Sequence, residues 1–140
     1  MTYHSATTED LQSIVRLLET CELPSNDVDA YLNHFIVAKE ADSVIGCIGM
    51  EREGPLLRSL AVDPSQRNRG VAQHLCEELL LLAKKQGVQE IFLLTTTAAK
   101  FFDKIGFQRK DREEAPQSIR RNTQFTELCP SSAVLMWKKL

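Results

Sequence analysis

The stretch Leu56-Leu57-Arg58-Ser59-Leu60-Ala61-Val62-Asp63-Pro64-Ser65-Gln66-Arg67-Asn68-Arg69-Gly70-Val71-Ala72 holds the residues best suited to chemistry. An apolar strand runs into Asp63-Pro64, a short basic loop follows, and Gly70 opens a long amphipathic helix. The first N–H groups of a helix have no partners within it and sit at its positive end, so they can hold a phosphate or diphosphate. Gly70 has no Cβ to keep a bulky ligand off the backbone. Arg67 and Arg69 add positive charge beside it. The loop lacks the Gly-Lys-Ser/Thr ending of a nucleoside triphosphate loop and the G-x-G-x-x-G of a dinucleotide loop. Taken alone, it also fits an ordinary strand-to-helix turn with a solvated basic face.

Arg58 is the one charge in an otherwise apolar strand. A charge there must be paired or must reach a cleft. Two readings stand side by side: a guanidinium that grips the carboxylate of an acceptor, or an internal ion pair with an acidic neighbour such as Glu51. Glu51 and Glu53 precede the strand and read as a solvated hairpin. Arg120 and Arg121 form a second cationic cluster that an exposed helix face explains. His34 and His74 read as surface or boundary residues, and His4 as structural.

The elements that must position these residues follow from periodicity. The chain has 140 residues, enough for one domain (1–140) with a sizeable core. A strand is expected over 2–6, then a helix capped by Thr7 or Thr8 with Leu11, Ile14, Val15, Leu18 and Cys21 at helical spacing. Leu23-Pro24-Ser25-Asn26 breaks it, and a short helix over 27–33 follows. Phe35–Ala38 and Val44–Met50 read as strands joined by a turn at Glu40–Ser43, and Gly54-Pro55 turns the chain into the strand Leu56–Val62. The helix from Gly70 to Gln86 buries Val71, Leu75, Cys76, Leu79, Leu80 and Ala83 and ends at Gly87. The strand Glu90–Leu94 then implies a parallel crossover unit. A short helix, Ala98–Lys104, ends at Gly106, a strand resumes at Phe107–Arg109, residues 113–128 are helical in pieces, and Ala133–Trp137 closes the chain.

Composition excludes several classes. A net charge of −2 argues against general nucleic-acid binding. No apolar run approaches the roughly 18 residues of a membrane span, and the N-terminus shows no signal-peptide pattern. The four cysteines, Cys21, Cys47, Cys76 and Cys129, form no C-x-x-C pair, so no metal is expected. The first three read as small buried hydrophobes, and a reducing cytoplasm is the expected compartment.

Three segments carry a family resemblance: the strand end Leu60–Pro64 with its loop Arg67-x-x-Gly70-x-Ala72, the strand Ile91–Leu94, and Phe102-Asp103-Lys104-Ile105-Gly106-Phe107. Together they resemble the GNAT-type N-acetyltransferases across nearly the whole chain. Leu93-Leu94-Thr95-Thr96-Thr97-Ala98, Phe101-Phe102 and Phe125–Val134 further resemble the arsenic-resistance-associated (ArsN-type) branch, which implies detoxification of an amino-acid-like substrate. The resemblance implies a mixed α/β, mostly antiparallel central sheet, flanked by helices and splayed at an acetyl-CoA site. It implies that the backbone of Leu60, Ala61 and Val62 holds the pantetheine arm. It further implies that the amides of Arg67, Asn68, Arg69, Gly70, Val71 and Ala72 hold the diphosphate, with Phe102 beside the cosubstrate. Dimers are common in this family, so a homodimer is implied too.

The implied reaction moves an acetyl group from acetyl-CoA to a small-molecule amine, with a donor such as the Val62 N–H for the thioester oxygen. The chain departs from the family where a tyrosine normally donates a proton, because Phe102 stands there. Thr96, Thr97, Cys129 and Ser132 are the candidate substitutes, although short polar side chains more often serve as caps and turns. No glutamate lies in the strand Leu56–Val62 to act as base. Three functions remain open: a small-molecule N-acetyltransferase, a protein N-acetyltransferase, and a non-catalytic acetyl-CoA-binding sensor or partner module, which Phe102 keeps alive.

Overall fold

The computed structural model describes residues 1–51, 54–120 and 133–140. Strand β1 is Thr2–Ser5. Thr7 and Asp10 then form a capping box, with the Thr7 N–H donating to Asp10 Oδ2 at 2.9 Å, and this launches α1, Leu11–Thr20. Helix α1 turns Ile14 and Leu18 inward as the spacing predicts and buries Leu17 as well, while Leu11, Val15 and Cys21 are only partly buried at the edge of that face. Helix α2 is a single turn, Val28–Tyr31, followed by a tight turn at Leu32–His34. Strands β2, Phe35–Glu40, and β3, Ser43–Glu51, are longer than expected. Their turn is the two-residue pair Ala41-Asp42, both left-handed (φ 50° and 66°), which matches the twist of an antiparallel hairpin.

Strand β4 is Leu56–Val62, and α3 is Val71–Lys85. Strand β5, Glu90–Thr95, and α4, Ala99–Lys104, lead to β6, Gln108–Lys110, so Phe107 lies just outside the strand expected to begin with it. Of the helical pieces expected over 113–128, the described part holds a turn at Arg112–Glu114 and α5, Gln117–Arg120; the remainder lies outside the described residues. Strand β7 is Val134–Lys139.

Among the described residues, seven strands make one sheet in the order β1-β2-β3-β4-β5-β7-β6. Every pairing is antiparallel except β4 with β5. On one face, α3 and α4, with Phe107 just beyond α4, bury Leu75, Leu79 and Phe102 against Ile48, Leu57, Ile91 and Met136. On the other face, α1 and α2 cover Phe35, Val37, Cys47 and Ala61, while Ile119 of α5 joins Leu56, Phe92 and Leu135. Burying a side chain such as Leu75 or Leu79 stabilises the fold by about 1.5–3 kcal/mol each.

Two features of β4 open the sheet. Cys47 pairs with Ala61 and Gly49 with Arg58, so Ser59 and Leu60 together oppose Ile48. This is a bulge, and Ser59 takes the left-handed φ of 57° that it demands. The second feature is the parallel contact itself. Strands β4 and β5 share one register point, Leu56 with Phe92, backed by the Phe92 N–H on Pro55 O at 2.9 Å. Past it, no further pairing joins them among the described residues.

Candidate functional site

The gap between β4 and β5 is a groove made of two adjoining cavities of about 300 and 490 Å3. They meet at Leu23, Leu60, Thr97 and Ala98, which line both. The smaller one reaches Arg58 and the β5 end. The larger one reaches the loop before α3. Backbone alternation explains why β4 can line a ligand. The Asp63 N–H bonds Ile45 O of β3 at 2.8 Å, so Val62 and Leu60 turn their N–H and C=O groups to the opposite, open side. The Val62 carbonyl accepts from Arg67 Nε at 3.3 Å and Cys21 Sγ at 3.6 Å, groups outside β3, which agrees with that direction.

At the loop end, Asp63 terminates β4 and caps the turn Pro64–Gln66 by accepting from the Ser65 N–H and hydroxyl at 2.9 and 2.7 Å. These bonds, from Ser65 first, hold the Asp63 carboxyl below its ordinary range. Gly70 precedes α3 with a φ of 78° and no side chain capping the helix. The first intrahelical bond runs from His74 N–H to Gly70 O at 3.0 Å, leaving the amides before it free for a ligand. Gly70, Val71 and Ala72, together with Arg67 and Asn68, line the larger cavity. A Cβ on Gly70 would meet nothing within 4 Å. The glycine is therefore required by its left-handed backbone and leaves open space in front of the helix. Of the two loop arginines, Arg67 faces the groove. Arg69 departs from expectation: its guanidinium bonds Glu40 Oε2 at 3.0 Å and also Gln66 Oε1, and it lines neither cavity. An acidic partner on β2 draws it away.

At the other end, Arg58 is buried. Its Nη1 and Nη2 donate to Asp27 Oδ2 and Oδ1 at 2.7 and 2.6 Å, its Nε donates to Ser59 Oγ at 3.0 Å, and the Tyr31 ring lies over it at 5.5 Å. The acidic partner is Asp27, not Glu51. Arg58 pulls the Asp27 carboxyl below its usual range, chiefly through those hydrogen bonds. Glu51 overturns the solvated-hairpin expectation: it ends β3 opposite Leu56 and is 4 % exposed. The Tyr31 hydroxyl donates to it, which pushes the tyrosine pKa up. Among the described residues, Glu51 Oε2 is the buried side-chain oxygen with no hydrogen-bond partner. Glu53 and Arg121 lie outside the described residues, and Arg120 is exposed, with Nε on Ala115 O at 3.1 Å.

Phe102 is buried in the wall of the smaller cavity, edge-on to Phe101 and Phe107 with centroids at 5.1 and 5.5 Å. It shapes the groove and offers no proton. Thr96 lines the smaller cavity and Thr97 lines both; Cys129 and Ser132 lie outside the described residues. Cys47 and Cys76 are buried as expected, and desolvation pushes both thiols up to about 12. Cys21 differs, because it is only half-buried and lines the larger cavity. Sequence reasoning missed Asp27 and Tyr31 as site residues. They stand 31 and 27 positions before Arg58 in a stretch whose signals announce only a helix start, and nothing local links them to a distant strand. Among the described residues, no group of His, Cys, Asp and Glu could hold a metal, and no helix is long and apolar enough to cross a membrane.

Residues 32–109 match the family described as acetyltransferase (GNAT) domain. The chain is 34% identical over 95 residues to an uncharacterized N-acetyltransferase of Chlorobaculum tepidum, covering 66% of this chain and 61% of that one. It is 29% identical over 106 residues to an amino-acid acetyltransferase of Pseudomonas fluorescens, covering 69% of this chain and 24% of that one. Both matches therefore span less than two thirds of the relatives' own length. The fold superimposes on N-acetylglutamate synthase from Neisseria gonorrhoeae, solved with coenzyme A and N-acetyl-glutamate, with a TM-score of 0.87 at 19% identity, over 99% of this chain and 35% of that one.

Proposed function

We propose that this chain, which belongs to the GNAT acetyltransferase family, transfers an acetyl group from acetyl-CoA to the amine of an amino acid or a close analogue. The observation that carries the reading is the continuous groove between β4 and β5. One end is an uncapped helix N-terminus with free amides, and the other end is a buried guanidinium. The amides of Gly70, Val71 and Ala72 with Arg67 suit a diphosphate. The open edge of Leu60 and Val62 suits an extended amide-bearing arm that pairs as a strand would. Acetyl-CoA, when bound, supplies the activated acetyl group. The Val62 N–H is the donor facing the groove for negative charge on a carbonyl oxygen. Phe102 gives no proton, so a thiol with an ordinary pKa of about 8.5 leaves as thiolate or takes its proton from water.

Arg58 is the group for an anionic acceptor, and the amino-acid acetyltransferase relatives support an acceptor of that kind. Amino-acid analogues of the arsenic-detoxification type belong to the same proposal, as do a single domain over 1–140, a cytoplasmic setting and a homodimer. The test is thiol release from acetyl-CoA with a panel of amino acids and their arsenic- and phosphorus-containing analogues. Turnover with an anionic amino acid supports the reading. Tight coenzyme A binding with no thiol release on any amine would instead favour a non-catalytic sensor, the second reading that Phe102 supports.

A further inference from the structure

The guanidinium proposed to grip the acceptor is already gripped. Asp27 occupies the end-on edge of Arg58 with two bonds of 2.6 and 2.7 Å, Nε is committed to Ser59 Oγ, and the Tyr31 ring lies over the plane. The Arg58 side chain is 1 % exposed and that of Asp27 is 22 % exposed. Asp27 is thus the layer between the guanidinium and solvent, in the two-point geometry that a free carboxylate would adopt. Buried Glu51 lies on the other side of Tyr31, whose hydroxyl donates to it, so a second carboxyl group is close by. With Asp27 on both Nη atoms, the end-on edge of Arg58 is taken, and two carboxylates cannot share one guanidinium edge without repulsion.

We propose that Asp27 is a specificity-determining residue: it holds the anion seat of Arg58 in the free protein, and the acceptor's carboxylate binds by taking its place. This rests on the reading that the acceptor is an amino acid. Exchange keeps Arg58 paired at both ends of the event, which avoids a bare buried guanidinium. An amine without a carboxylate has nothing to exchange and finds the seat shut. The segment that carries Asp27 is suited to yield. Asp27 sits at the start of a four-residue helix, too short to be stable alone. Leu23 and Pro24, just before it, line the smaller cavity, so a shift of Asp27 changes the wall that the acceptor meets.

The test compares the wild type with Asp27→Asn, using an anionic amino acid that the wild type acetylates and its carboxamide counterpart. The expected result is a fall of severalfold or more in KM for the anionic acceptor in Asp27→Asn, with KM for acetyl-CoA and for the carboxamide unchanged. A KM for the anion that rises or stays the same, or one that moves in parallel with the carboxamide, overturns the inference. Should Asp27→Asn fail to fold, hydrogen exchange on the wild type decides. Saturating anionic acceptor should speed exchange over residues 27–31 if Asp27 is displaced, and slower or unchanged exchange overturns the idea. A wild type that acetylates no anionic amino acid overturns the functional reading itself and this inference with it, which is a different result from an active enzyme indifferent to Asp27.

Discussion

Gly70 and Gly87 stand just beyond the two ends of α3, and together they isolate the role of the loop. Both have left-handed backbones, with φ of 78° and 87°, and at both a Cβ would meet nothing within 4 Å. Gly70→Ala and Gly87→Ala should therefore destabilise by the same mechanism and to the same extent. A non-glycine residue in this conformation costs roughly 1–2 kcal/mol, partly offset by the reduced freedom of the unfolded chain, for a net of about 1 kcal/mol. In a chain of 140 residues that lowers Tm by about 3 °C. The two differ in what lies in front of them. Gly70 opens onto the larger cavity beside Arg67 and the free amides, whereas Gly87 ends α3 on the far side. A methyl at Gly70 intrudes where a diphosphate would approach. Losing one charge-assisted bond of about 1.5–3 kcal/mol weakens coenzyme A binding by roughly 10- to 150-fold. Thermal melts and calorimetric titration of coenzyme A measure both quantities on both variants. Equal affinities in the two variants, alongside equal Tm losses, would refute the diphosphate assignment.

Other expectations follow from single contacts. Gly49→Ala places a Cβ at 2.7 Å from Phe35 Cε1 in a packed core, so stability should fall by about 1–3 kcal/mol in a denaturant titration. Cys47 and Cys76, with thiols pushed up to about 12 by burial, should resist alkylation until the protein unfolds, while half-buried Cys21 reacts in the native state; mass spectrometry of labelled peptides reads the order. Asp27 and Asp63 have carboxyls held below the usual aspartate value of about 3.9, so the stability they add is complete above that pH and disappears as pH falls through their lower folded values. Acid unfolding should accordingly begin below about pH 4, and Asp27→Asn should flatten that limb.

The loop end of the site was readable because its signals are local. Asp63-Pro64, the basic residues and Gly70 lie within eight positions, and a strand stop, a tight turn and a helix start each follow from the residue types there. The core faces of α1 and α3 were readable for the same reason, since helical period depends only on sequence spacing. The Arg58 end was not. Glu51 looked like a turn residue because charge next to Arg52, Glu53 and Gly54 announces a hairpin, yet β3 runs to Glu51 and buries it. Arg69 looked equivalent to Arg67 until β2 brought Glu40 within reach.

Local chemistry written along the chain was enough to establish the alternation of strands and helices, the tight turn before α3 and the lack of a hydroxyl at Phe102. Folding settled which carboxylate meets Arg58, where β4 parts from β5 and how the two cavities join. The reason is physical. Caps, turns and periodicity act between residues a few positions apart, whereas ion pairs and grooves depend on distances in space, and these exist only after packing has brought remote segments together.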